Sequence, residues 1–186
     1  FATDLSENQI KHAVKKENII YKVERAEKTD FIKNQFDLIT VAQAIHWFSF
    51  DDFYKEVYRT LRPNGIFAVI GYALLKINPF IDNIINKFYT GVIRNYWDKE
   101  RRYIDENYLT IPFPFEKLKA PVICSQHEWT FEQLTGYLNT WSAIQHFIKE
   151  NRSNPVDTII NHLKESWASD ERKQVCFPIL LRVGRK

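Results

Sequence analysis

One run of residues limits the architectures open to this chain. Ile66, Phe67, Ala68, Val69 and Ile70 follow one another without a polar break and lead into Gly71 and Tyr72. A strand with one wet face alternates apolar and polar residues. An unbroken apolar run is covered on both faces, as in a parallel sheet between helices. The run is launched by Leu61-Arg62-Pro63-Asn64-Gly65, a turn in which Pro63 fixes φ and Asn64-Gly65 permits a positive φ. A second strand, Leu38 to Val41, follows the polar turn Lys33-Asn34-Gln35. It becomes small at Ala42, polar at Gln43, and ends in His46-Trp47. Ser49, with Asp52 three residues on, reads as the start of a helix over about Phe50–Arg59, with Phe53, Tyr54, Val57 and Tyr58 on one face.

Upstream, Phe1 to Asp4 reads as the tail of a strand ending in an acid. Ser6 and Gln9 form a capping box for a helix from about Glu7 to Val14, whose apolar face is Ile10, Ala13 and Val14. Ile19 to Val23 is a further strand. The order strand, helix, strand, strand, helix, strand predicts a doubly wound α/β fold. Downstream, Asn78-Pro79 opens a helix whose apolar residues recur to about Tyr96. The stretch from Trp97 to Leu118 mixes aromatics, two prolines and the cluster Asp98-Lys99-Glu100-Arg101-Arg102, and reads as an insertion over the ligand face. Val122 to Trp129 is a strand, Thr130 and Gln133 cap the next helix, and Asn154-Pro155 opens another to about Trp167. Gln174 to Val183 is the last strand, which Pro178 restricts to an edge or a bulge. The two late strands predict an antiparallel end to the sheet. We expect a single domain over 1–186, with 76–118 as a lid or substrate insertion within it.

A formal charge of +3, spread along the chain, argues for a solvated surface rather than a nucleic-acid partner. No apolar run reaches membrane-span length, so no membrane partner is expected. Cys124 and Cys176 stand far apart with no CxxC or Cys-His spacing, and are expected as buried free thiols in a reducing compartment, which makes the predicted location cytoplasmic. The five histidines lack metal-ligand spacing, so no metal is expected.

Ligands of open α/β sheets bind at the carboxyl ends of strands. Asp4 sits at such an end, where a carboxylate suits a ribose diol by offering several acceptor sites. Capping of the helix near Ser6 explains it equally well. Ala26-Glu27 follows the next strand: a small residue admits a flat ring and a carboxylate accepts from an exocyclic amine, although a solvated Glu among Lys22, Arg25 and Lys28 is the commoner outcome. His46 is a weak candidate base, more often a core histidine, whereas Trp47 reads as site lining. Arg101 and Arg102, beside Tyr96 and Trp97, could grip a carboxylate, against the alternative of salt bridges with Asp98 and Glu100. Trp141 on its amphipathic helix is core or pocket. There is no nucleophile-elbow serine, no Walker loop and no GxGxxG.

Taken together these residues resemble a class I S-adenosylmethionine-dependent methyltransferase. The motifs are Ala2-Thr3-Asp4-Leu5-Ser6 after the family's second strand, Ala26-Glu27 after its third, Phe36-Asp37-Leu38-Ile39 through His46-Trp47 at its fourth, and Leu61-Arg62-Pro63-Asn64-Gly65 before its fifth. Tyr96-Trp97-Asp98 with Glu100-Arg101-Arg102, Ile111-Pro112-Phe113-Pro114-Phe115 and Thr140-Trp141-Ser142-Ala143 are similar to a subgroup near the trans-aconitate methyltransferases.

The resemblance implies a Rossmann-like α/β sheet with helices on both faces and a helical, aromatic lid. It implies S-adenosylmethionine as cofactor, held by Asp4 at the ribose, Leu5 on the adenine, Ala26 and Glu27 at the adenine edge, Ala42 and Gln43 along the methionine part, and Trp47 nearby. Tyr72, Trp97, Arg101, Arg102 and Trp141 would face a small-molecule acceptor, carboxylate or otherwise, in a monomer or homodimer. The chain departs from the family in two ways. The family's first strand and Gly-rich loop are expected before Phe1, so that the chain as it stands would bind cofactor weakly, and Arg25 occupies a position where many relatives carry Asp. Two other classes remain open at this point: a non-catalytic small-molecule-binding or interaction module of the same fold, and an RNA-directed methyltransferase.

Overall fold

The computed structural model describes residues 1–168 and 170–186. The chain forms two compact units. Unit 1 comprises Phe1–Gly71, Leu109–Pro121 and Leu180–Lys186, and unit 2 comprises Tyr72–Tyr108 and Val122–Ile179.

Unit 1 opens with strand β1 (Ala2–Asp4), helix α1 (Glu7–His12) and strand β2 (Tyr21–Val23). Ser6 Oγ accepts from Gln9 N at 3.3 Å, which is one half of the expected capping box; the Ser6 N–H donates to Asp4 Oδ1 rather than to Gln9. The helix stops two residues early, because Ala13 is extended, and none of its residues is buried. On the anticipated face Ile10 and Ala13 are only partly buried and Val14 is exposed, and burial is what holds so short a helix beyond its first turn. β1 and β2 pair in parallel as a sheet of their own.

Strand β3 (Phe36–Ala42) leads through a 3₁₀ turn at Ile45–Trp47 into helix α2 (Phe50–Thr60) and strand β4 (Leu61–Tyr72). β3 and β4 are parallel, with Leu38 opposite Ile66 and Val41 opposite Val69. Phe36 is opposite Leu61, so Arg62 to Gly65 are accommodated as an irregularity of the pairing rather than as a separate turn. Asn64 carries the positive φ, 63°. Gly65 is needed for a different reason: a Cβ there would lie 2.7 Å from Leu61 Cγ and 2.9 Å from the Arg62 carbonyl. The order within the larger sheet is β3-β4-β7-β5, with β5 (Glu116–Leu118) antiparallel to the end of β7 (Lys173–Arg185). Phe53, Tyr54 and Val57 of α2 are buried with Phe67, Ala68 and Val69 of β4, as the apolar run requires. Burial lifts the Tyr54 phenol to about 12.

An ion-paired network fastens α2 to the loop before β3. Glu56 Oε2 accepts from Arg59 Nε at 2.8 Å, Glu56 Oε1 accepts from Thr29 N at 2.9 Å, and Arg59 Nη1 donates to the Phe31 carbonyl at 2.6 Å. Hydrogen bonding to Arg59, helped by Thr29 and opposed by burial, draws the Glu56 carboxyl down to about 2. A depressed carboxyl stabilises the fold above its unfolded value and loses that contribution as pH falls through its folded value. We therefore expect a Glu56→Gln chain to be less stable than the parent by on the order of 1–2 kcal/mol at pH 7, allowing for solvent at Arg59. The difference should shrink between about pH 4.5 and pH 2, read by urea titration at successive pH values.

Unit 2 holds helix α3 (Pro79–Lys87), a π-helical turn over Phe88–Val92, the short helix α4 (Arg102–Asp105), strand β6 (Cys124–Trp129), helices α5 (Phe131–Asn139), α6 (Ser142–Asn151) and α7 (Asp157–Lys164), and the first half of β7. Asn78 Oδ1 caps α3 by accepting from Phe80 N and Ile81 N, and Thr130 with Gln133 forms a reciprocal capping box on α5. The core joins Ile81, Ile85 and Phe88 to Leu134, Leu138, Ile144, Leu163 and Val175. β6 and β7 form the expected antiparallel pair, with Gln126 opposite Cys176.

One open alternative is resolved here and one expectation is corrected. β7 is not an edge strand. It pairs with β6 on one side, and on the other Cys176 bridges Lys76 while the Pro178 carbonyl accepts from Ala73 N at 2.9 Å. The missing N–H of Pro178 falls where Leu74 and Leu75 loop away from β7, so the bulge alternative holds. Second, Cys124 and Cys176 are not free thiols but form a disulfide, with Cα atoms 5.8 Å apart. Their separation of 52 residues conceals an adjacency that the β6–β7 pairing creates.

Candidate functional site

The residues singled out from the sequence fall into two groups, one in each unit. In unit 1 they lie at the carboxyl ends of β1, β2 and β3. Asp4 closes β1. Its Oδ1 accepts from Ser6 N at 2.7 Å, while Oδ2 has no partner among the described residues. The capping role and an available acceptor oxygen therefore coexist in one carboxylate. Leu5, next in the chain, is 67% exposed.

At the end of β2, Ala26 and Glu27 are partly buried. Glu27 is more committed than its sequence suggests: Oε1 accepts from Ser49 N at 3.2 Å and Oε2 lies 3.8 Å from Arg25 Nε. It ties the strand end to the start of α2. Sequence reading missed Glu24. Its backbone N–H donates to the Asp4 carbonyl at 3.0 Å, Oε1 accepts from Asp30 N at 2.6 Å, and Oε2 is buried without a partner among the described residues. Its place as the first acid after β2 was the available signal.

At the end of β3, Ala42 is exposed and Gln43 takes a left-handed backbone, φ 51°, while its N–H donates to the Ile70 carbonyl at 2.7 Å. A non-glycine residue held there costs about 1–2 kcal/mol, and such strain collects at ligand sites. The 3₁₀ turn then sorts its two rings. His46 is buried at 6% exposure, and Trp47 stands 55% exposed with the ring centroids 5.0 Å apart. The turn thus presents Trp47 to solvent and packs His46 away.

In unit 2, Trp97, Arg101 and Trp141 come together, joined by Tyr89. The Trp97 ring lies 4.8 Å from Tyr89 and 5.5 Å from Trp141. The Arg101 guanidinium sits 4.6 Å over Trp97 and 5.4 Å from the Tyr89 ring. Arg101 Nε donates to Tyr89 Oη at 2.7 Å, and that hydroxyl donates to Asp105 Oδ1 at 2.6 Å. Burial holds the Tyr89 phenol well above its usual value, so it remains a protonated donor. Trp97 Nε1 is buried with no partner among the described residues. Arg102 is not part of this group. It is exposed, donates to Tyr103 Oη at 3.0 Å, and lies over the Tyr103 ring. Tyr72 packs edge-on against Phe177 at 5.6 Å. Among the described residues no cluster of three metal-ligating side chains occurs, and no helix is long and apolar enough to cross a membrane.

The chain is similar to known proteins over most of its length. A family profile described as a methyltransferase domain matches residues 1–69. A protein of Dictyostelium discoideum named as a methyltransferase is 32% identical over 188 residues, covering 97% of this chain and 72% of the relative. CRG1 of Saccharomyces cerevisiae, named as an S-adenosylmethionine-dependent methyltransferase, is 27% identical over 158 residues and is matched over 54% of its length. The solved structure of a type II methyltransferase from Anaeromyxobacter dehalogenans superposes with a TM-score of 0.91 at 34% identity, covering 99% of this chain and 79% of that one. The chain thus has the Rossmann-like α/β methyltransferase fold, with a mixed sheet and helices. It is shorter than each of these relatives. On this evidence the chain belongs to the class I S-adenosylmethionine-dependent methyltransferases.

Proposed function

We propose that the protein transfers a methyl group from S-adenosylmethionine to a small carboxylic acid. The observation that carries the acceptor class is Arg101, whose guanidinium carbon lies 4.6 Å from the Trp97 ring centroid and which, among the described residues, donates only through Nε, to Tyr89. A guanidinium fork in a ring-lined setting recognises a planar carboxylate. The unit 1 residues fit the cofactor: Asp4 Oδ2 offers an acceptor to ribose hydroxyls, Leu5 offers an apolar face, Ala26 leaves room for a flat ring, and Ala42, Gln43 and Trp47 line the end of β3. When bound, S-adenosylmethionine supplies an electrophilic methyl group on a sulfonium.

Within the family we place the chain near the trans-aconitate methyltransferases, supported by the Trp97-Asp98 and Arg101-Arg102 motifs. Tyr72, Trp141 and segment 76–118 are assigned to the acceptor side, and a cytoplasmic monomer or homodimer is our working picture. A second reading, a non-catalytic binding module, draws support from one feature: β1 and β3 lie in separate sheets.

A carboxylate acceptor is already ionised at neutral pH, so the chain needs no general base for it. The buried His46 is then structural. We expect His46→Gln to turn over an acid acceptor at nearly the parent rate, with flat activity between about pH 6 and 8. Loss of a general base would instead cost about 10²–10⁴-fold, and that result would redirect the assignment to a hydroxyl or amine acceptor.

A further inference from the structure

Trp97 holds a buried N–H that no described residue accepts. Such a donor is costly to leave unmade, and the guanidinium lying over the same ring, itself only a donor, cannot accept it. Arg101 has five N–H donors, of which Nε goes to Tyr89 Oη. Tyr89 can accept that bond in a fixed direction because its own proton is taken by Asp105 Oδ1 at 2.6 Å. Asp105 itself stays 3.8 Å from Arg101 Nε, so the carboxylate steers the arginine through the phenol rather than capping its terminal nitrogens. The result is a guanidinium held at one end beside an indole, with its fork unpartnered among the described residues.

We propose that Trp97 Nε1 and the Arg101 fork form one seat for a small organic carboxylate, with Tyr89 as the residue that positions Arg101 in it. This deepens, and rests on, the reading of unit 2 as the acceptor-binding part. A bound carboxylate engages the guanidinium that now covers Trp97 and supplies the acceptor the indole lacks. The same arrangement selects by charge. Two aromatic faces, Tyr89 and Trp97, would attract a cation, but Arg101 already occupies them. A protonated amine therefore meets repulsion where an acid meets two donors.

The test uses benzoate and benzylamine, which differ chiefly in the sign of the charge, titrated calorimetrically into the whole chain with S-adenosylhomocysteine present. Binding of the nucleoside product is measured separately. The parent should bind benzoate and not benzylamine. Trp97→Phe and Tyr89→Phe should each weaken benzoate by about tenfold, the worth of a charge-assisted hydrogen bond, without changing nucleoside affinity. With an acid substrate, Tyr89→Phe should raise KM and leave kcat in place. Arg101→Gln should lose benzoate and gain benzylamine, while Arg101→Lys keeps the preference for the acid. If Trp97→Phe melts early, Tyr89→Phe, which removes a single oxygen, decides. Unchanged benzoate affinity in Tyr89→Phe and in a folded Trp97→Phe overturns the seat while leaving an acid acceptor bound by Arg101 alone. A parent that binds benzylamine in preference to benzoate overturns the seat and the acid-acceptor reading together.

Discussion

Replacing Phe67 with Ala is expected to cost about 3–5 kcal/mol of folding stability, the range for removing a buried aromatic ring from a core that cannot fully collapse. Phe67 is 0% exposed in the middle of the β4 run. Its ring centroid lies 4.8 Å from Phe115, 5.8 Å from both Phe53 and Phe113, and 6.0 Å from Tyr54. These partners come from α2 and from the Ile111–Phe115 segment, so one side chain joins three stretches far apart in sequence. The segment has few other means of attachment. Tyr54 and Tyr58 donate to the carbonyls of Pro112 and Pro114, and Arg182 Nη1 donates to the Ile111 carbonyl at 2.8 Å. Both tyrosines lean on the ring cluster that Phe67 anchors. Phe67→Leu, which retains most of the volume, should cost distinctly less. Urea titration monitored by far-ultraviolet circular dichroism reads both. Equal losses for Ala and Leu would mean that ring shape rather than filled volume matters at this position.

The second large effect is expected at Asp4. Asp4→Ala removes the Oδ2 acceptor that we assign to the ribose, along with the bond from Ser6 N to Oδ1. Hydrogen bonds to a charged group are worth about 1.5–3 kcal/mol, so nucleoside affinity should fall by about tenfold to a hundredfold. Asp4→Ser separates the two roles. Serine can still accept from Ser6 N as an N-terminal turn residue but offers one hydroxyl where the carboxylate offered two oxygens. If capping is all that Asp4 does, Asp4→Ser restores full affinity. If the ribose contact is what matters, it restores helix α1 and leaves binding weak.

The parts legible in the sequence are those set by local rules. The β4 run announced a strand covered on both faces. Ser6, Asn78 and Thr130 announced helix starts, and all three side chains accept the bonds expected of them. Asn64 announced the positive φ. Ser49 is the exception among the caps: its hydroxyl donates to Asp52 Oδ2 rather than accepting from the helix, and its N–H goes to Glu27.

What stayed hidden depends on pairing at a distance. The Cys124–Cys176 bond and the inner position of β7 both follow from the β6–β7 register. The left-handed Gln43 could not be foreseen, since nothing about glutamine favours that conformation. Arg101 and Arg102 are neighbours in sequence and were weighed together, yet only Arg101 meets Tyr89 and Trp97. The relay through Tyr89 to Asp105 joins residues whose spacing carries no pattern of its own.

The central claim is methyl transfer to a carboxylate. It is tested most directly by incubating the protein with S-adenosylmethionine carrying an isotopically labelled methyl group and a mixture of small acids and amines, then locating the label by mass spectrometry before and after mild alkali. The label should appear on an acid as an alkali-labile methyl ester. Label found only in alkali-stable N-methylated amines, or cofactor bound with no label transferred to any acceptor, would contradict it.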